Sequence, residues 1–118
     1  GLVVSGVKRA TAGSVWTLEA EGRSPPRPGD FSIVTTWAGH PLCVIETLST
    51  EVLPFREVTA EFAATEGEGD GSLEHWRAGH EAYFTRECHR AGRTFSEEML
   101  VVCERFKVVG HWHANNPA

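Results

Sequence analysis

The run from Glu98 to Val109 is apolar at consecutive as well as alternate positions, with Met99, Leu100, Val101, Val102 and Cys103 followed by Phe106, Val108 and Val109. Successive side chains of a strand point to opposite faces. A strand apolar on both faces belongs inside a sheet or small barrel, covered on both sides. The rest of the chain therefore has to supply neighbouring strands and helices to cover them. Phe31 to Thr36 alternates β-branched and polar residues and reads as a strand. Trp37-Ala38-Gly39-His40-Pro41 reads as a hairpin-like turn into a longer strand from Leu42 to about Leu53.

The cover is legible in a second periodicity. Leu73, Trp76, His80, Tyr83, Phe84 and Cys88 recur at three- and four-residue steps, which makes one apolar stripe of a helix. Asp70 or Ser72 is its cap, and Gly92 ends it. Thr59 is suited to cap a short helix through Ala64, and Ala12 to Glu21 reads as another, closed by Gly22. Leu2-Val3-Val4-Ser5-Gly6 reads as the last turn of a helix too short to stand alone, so the first part of the natural chain is expected to be missing here. Ser24 to Asp30 holds three prolines and forms a stiff loop. Glu66-Gly67-Glu68-Gly69-Asp70-Gly71 is predicted to be an exposed acidic loop, and the tail from His111 is expected to fray. With no repeats or linkers, the expectation is a single α+β domain over residues 1–118.

The 118 residues suffice for one core without staples. Three cysteines, Cys43, Cys88 and Cys103, lie in apolar stretches without metal-type spacing, which predicts buried free thiols and a reducing, cytoplasmic location. No apolar run reaches the roughly 18–20 residues of a membrane helix, and no leader pattern is present. The net charge of −5 is concentrated between Glu46 and Glu74, where eight carboxylates face Arg56 alone. A long nucleic-acid footprint calls for a basic excess. The charge therefore favours a small ligand or a short basic groove.

The segment Gly6-Val7-Lys8-Arg9-Ala10-Thr11 carries the most chemistry. Lys8 and Thr11 share a face only if the chain turns between them; if they converge, they form a candidate base and nucleophile. Arg9, Arg23 and Arg27 extend this to a basic groove, and Trp37 beside its turn is the best exposed platform for a base. Trp76, Tyr83 and Phe84 sit on the helix stripe and are assigned to the core. His75 and His80 are five apart, a poor spacing for paired ligands, and His111-Trp112-His113 lies in the tail. No metal site is assigned. A hard-oxygen metal would fall to Glu66, Glu68 and Asp70.

The string GVKRAT after an apolar helix end resembles the ASCH signature of glycine, any residue, lysine, two residues and threonine. Pro28-Gly29-Asp30, Cys43-Val44-Ile45-Glu46-Thr47, the acidic loop, Trp76-Arg77 and Cys103-Glu104-Arg105-Phe106 are similar to further family segments, in order along nearly the whole chain. The resemblance implies a small PUA-like β-barrel with flanking helices, and a cleft for RNA or a modified nucleoside beside Lys8 and Thr11. It also implies two activities. Some members are amidohydrolases that deacetylate N(4)-acetylcytidine with a lysine, a threonine and a glutamate, which here would be Lys8, Thr11 and either Glu66 or Glu68, with no cofactor. Another branch is associated with metal-dependent ribonuclease activity. Many members carry an arginine two residues after the threonine, where this chain has Gly13. The choice between a binding module and a hydrolase stays open on these residues.

Overall fold

The computed structural model describes residues 3, 6, 8–67 and 69–111. The elements run β1 (Ala10–Ser14), α1 (Val15–Ala20), β2 (Phe31–Thr35), β3 (Pro41–Pro54), a 3-10 turn (Phe55–Glu57), α2 (Ala60–Glu66), α3 (Leu73–Arg90) and β4 (Leu100–His111). The strands form one antiparallel sheet in the order β1-β4-β3-β2, curled into a half-barrel, and the whole is α+β. The doubly apolar strand is β4, and it is interior, between β1 and β3. Pairing of β3 with β4 runs from Cys43 opposite His111 to Pro54 opposite Leu100, with shifts at Val44/Ile45 and at Thr47/Ser49. Such irregularities bend a strand and increase its twist, which suits a sheet that has to curl.

Each face of the curl carries a buried cluster, with Phe31, Ile33 and Val109 left exposed. On one, Ala10, Val101 and Cys103 pack with Phe55, Phe62, Trp76 and Phe84 of the helical layer. Phe55 stacks on Trp76 at 5.4 Å and meets Phe84 edge-on at 6.2 Å. The second cluster is smaller, with Cys43, Ile45 and Phe106 backed by Val3, Val34 and Val108. Capping follows the sequence: Ser72 Oγ accepts from the His75 amide, and Thr59 Oγ1 accepts from Phe62.

Three boundaries differ most from the sequence reading. Glu66, expected in an exposed loop, is instead the buried last residue of α2, because the helix runs past Ala64 to its cap at Gly67. Residues 12–14 belong to a strand rather than to a helix, because pairing with β4 captures them; Ser14 then caps the helix by accepting from the Trp16 amide. His111 ends β4 opposite Cys43 instead of opening a frayed tail; the remaining tail residues, 112–118, lie outside the described residues. The proposed helix end at Leu2–Gly6 falls mostly outside them too, although the Gly6 amide does bond to Val3 O at 3.1 Å. No described helix is long and apolar enough to cross a membrane.

All three cysteines are buried free thiols. Burial pushes each thiol upward, and Cys103, also beside the charges of Glu51 and Glu66, reaches about 12. A thiol reagent at about pH 8 should modify none of the three in the folded protein and all of them in concentrated guanidinium. Phe84 is fully buried against Phe55 and His80. Phe84→Ala should cost about 3–5 kcal/mol in urea denaturation.

Candidate active site

The site is organised by a carboxylate out of water. Glu66 is the last residue of α2 and is 1% exposed. A buried carboxylate persists only if donors replace its hydration, and three do. Trp76 Nε1 donates to Oε2 at 2.5 Å. His80 Nε2 lies 3.2 Å from Oε1, and Lys8 Nζ is 3.5 Å from the same oxygen. Burial alone would raise the Glu66 carboxyl. The hydrogen bond and charge of His80, the Trp76 donor and the Lys8 charge outweigh it, so the group sits below its ordinary 4.5.

Trp76 and His80 are four residues apart on α3, hence on one face, and their rings stack at 4.1 Å. His80 Nδ1 lies 3.0 Å from the Trp76 carbonyl oxygen. The ring is thus held between the Trp76 carbonyl and the Glu66 carboxylate, one at each nitrogen. The chain reaches α3 through Gly67, Gly69 and Gly71, all at positive φ. At Gly69 an added Cβ would meet only the exposed His75 ring, which can swing away, so the positive φ is what calls for glycine.

Lys8, Thr11, Glu66, His75, Trp76, His80 and Tyr83 line a cleft of about 340 Å³. A larger lobe of about 450 Å³ adjoins it, sharing Thr11, Ala12 and Tyr83. The two lobes meet at β1. Thr11 stands opposite Glu104, and Phe106 N–H donates to Arg9 O. By the alternation of antiparallel bonding, the Thr11 amide is committed to β4 and Ala12 turns its amide to the outer edge.

The sequence candidates separate accordingly. Lys8, Thr11 and Glu66 come together. Arg23 lines the larger lobe, 3.2 Å from Glu21. Arg9 is exposed and serves through its backbone, with its amide on Thr65 O and its carbonyl accepting from Phe106. Arg27 stays in the proline loop, its amide bonded to Asp30 Oδ2, and Trp37 is fully exposed at the β2–β3 turn. Neither Arg27 nor Trp37 lines the two lobes. Glu68 lies outside the described residues. Glu66 faces Trp76 while Asp70 accepts from the Ser72 amide, so these two acids do not converge. Among the described residues no group of three or more His, Cys, Asp or Glu is placed to hold a metal.

Three residues were missed. His80 and Tyr83 read as core, yet Tyr83 is 45% exposed and borders both lobes. Glu104 lines the larger lobe and accepts from buried Thr47 at 2.6 Å. The available signals were a histidine on an apolar stripe, which needs a partner, and one acid inside an apolar strand. Gly13, where the resemblance expects arginine, lines the larger lobe with nothing within 4 Å of an added Cβ.

The Glu66 carboxyl is lower in the folded protein than in the unfolded chain, so its contribution to stability is complete above about pH 4.5 and is lost as pH falls through the folded-state value. Urea denaturation across this range should show Glu66→Gln less stable than wild type at neutral pH, and the gap should close in acid.

The comparisons agree with this architecture. The ASCH domain family profile matches residues 1–110. The ASCH domain from Lactobacillus crispatus JV V101 superposes with a TM-score of 0.86 at 43% identity, over 93% of this chain and 69% of that one. A protein from Enterococcus faecalis V583 gives 0.84 at 34% identity, over 93% and 66%. The chain thus spans about two thirds of each. Comparison with curated proteins gives no match. The chain belongs to the ASCH domain family.

Proposed function

We propose that the two-lobed cleft binds a modified nucleoside and hydrolyses an N-acyl group on its base. The observation that carries this reading is the convergence of Lys8 and Thr11 with Glu66, whose sequence separation from Lys8 is 58 residues, on one cleft with a Lys8–Glu66 ion pair. A threonine hydroxyl needs a proton acceptor before it attacks a carbonyl. The step starts from unprotonated Lys8, which takes the proton of Thr11 as Oγ1 bonds to the amide carbon. The Ala12 amide at the outer edge of β1 is a backbone donor available to the developing oxyanion. Collapse breaks the C–N bond, and the leaving amine takes a proton from the Lys8–Glu66–His80 network. Water then cleaves the acyl-threonine with Lys8 as base, releasing the carboxylic acid and restoring Thr11.

The acidic charge balance supports a small ligand over a long RNA footprint. Recognition without chemistry is the competing reading, and one experiment separates the two. Purified wild type, Lys8→Ala and Thr11→Ala are incubated with N(4)-acetylcytidine and followed by chromatography. Wild type should release cytidine, and each variant should lose about 10²–10⁴-fold in kcat/KM. Equal release by wild type and Lys8→Ala would remove the assignment, and no release by any of them would leave a binding module.

A further inference from the structure

The larger lobe contains a carboxylate that the acyl-transfer steps do not use. Glu104 is directly opposite Thr11 in the β1–β4 register, so the two side chains rise from the same face of the sheet, about 5 Å apart at Cβ. Thr47, itself buried in β3, donates its hydroxyl to Glu104 Oε2 at 2.6 Å. Among the described residues that is the single hydrogen bond on this carboxylate, and it has no ion pair. Glu104 is half-buried. Oε1 is left to the lobe that Glu104 lines. The charged lining there is Glu21, Asp30 and Glu104 against Arg23, which is already 3.2 Å from Glu21. That excess of negative charge repels a phosphate and suits neutral groups that donate hydrogen bonds.

We infer that Glu104, oriented by Thr47, accepts hydrogen bonds from the vicinal hydroxyls of the ribose of a nucleoside bound across the two lobes. An ionised carboxylate accepts and never donates, and two adjacent hydroxyls match its two-oxygen edge with strong, charge-assisted bonds. The base, bearing its amide, lies at Thr11, where the lobes meet, and the sugar extends into the larger lobe. The inference rests on the nucleoside reading of this cleft but not on turnover.

Titration calorimetry tests it, with cytidine and 2′,3′-dideoxycytidine as probes of wild type and Glu104→Gln. Wild type should bind cytidine about 10–100-fold more tightly than the dideoxy compound, and the ratio should fall to about 2-fold or less in Glu104→Gln. Gln still offers Thr47 an oxygen, and an unchanged Tm checks that the fold is intact. Thr47→Val, which frees Glu104 from its donor, should narrow the ratio partway. Failure of wild type to bind cytidine, equal binding of both probes, or an undiminished ratio in Glu104→Gln would overturn the assignment. Discrimination between the probes without hydrolysis of N(4)-acetylcytidine would sink the amidohydrolase reading and leave this one standing. Hydrolysis without discrimination would do the reverse.

Discussion

Everything at this site follows from the need to satisfy one carboxylate removed from water. Glu66 ends α2 in a position closed to solvent, and its stability there depends on donors brought from two other places in the chain. Trp76 and His80 come from α3, and Lys8 from the segment leading into β1. The same three bonds that offset burial also fix the relative positions of α2, α3 and the start of the sheet. An interaction of this kind is costly to break from one side, since it leaves the other charges stranded. Fold and candidate chemistry are therefore not separable here: the groups that hold the helices against the sheet are the groups that line the smaller lobe.

The sheet contributes a second constraint through β4. Because it lies between β1 and β3, it fixes both Thr11, through pairing with β1, and Thr47, across its other edge. Glu104 stands where those two influences meet. The irregularity at Thr47/Ser49 belongs to the same arrangement, because it bends β3 next to the hydroxyl that holds Glu104. Arg105, the next residue, points its charge the other way, toward Glu51 and Glu61. Neighbouring residues of one strand thus serve the lobe and the outer surface.

The sequence showed what periodicity can show. The doubly apolar run located the interior strand, the stripe from Leu73 to Cys88 located α3, and Thr59 and Ser72 marked helix starts. Lys8 and Thr11 stood out from the residues as a candidate base and nucleophile if the chain turned between them, and family resemblance added their roles and the choice of Glu66 or Glu68. What remained hidden depended on contacts between distant segments. Ala12 to Ser14 has the local character of a helix start, and only pairing with β4 makes it a strand. Tyr83 occupies a stripe position, yet it is 45% exposed and borders both lobes, while Phe84 and Cys88 farther along the stripe are buried. The partner of His80 could not be read from α3 at all, since it lies 14 positions away on another helix. Trp37 and Arg27 had suitable chemistry in turns that lead away from the cleft.

β1 is an edge strand of five residues, paired only with β4 among the described residues, and it carries Thr11 at its centre of action. Edge strands with one-sided pairing open by sub-global fluctuation at lower free energy than interior ones. β1 is tied on its far side to α2, however, through the Arg9 amide on Thr65 O and the Lys8–Glu66 ion pair, and its Ala10 is fully buried in the larger core. Opening of β1 would therefore strip the core of Ala10 and leave Glu66 without Lys8, so the strand that carries Thr11 is expected to open with the fold rather than ahead of it.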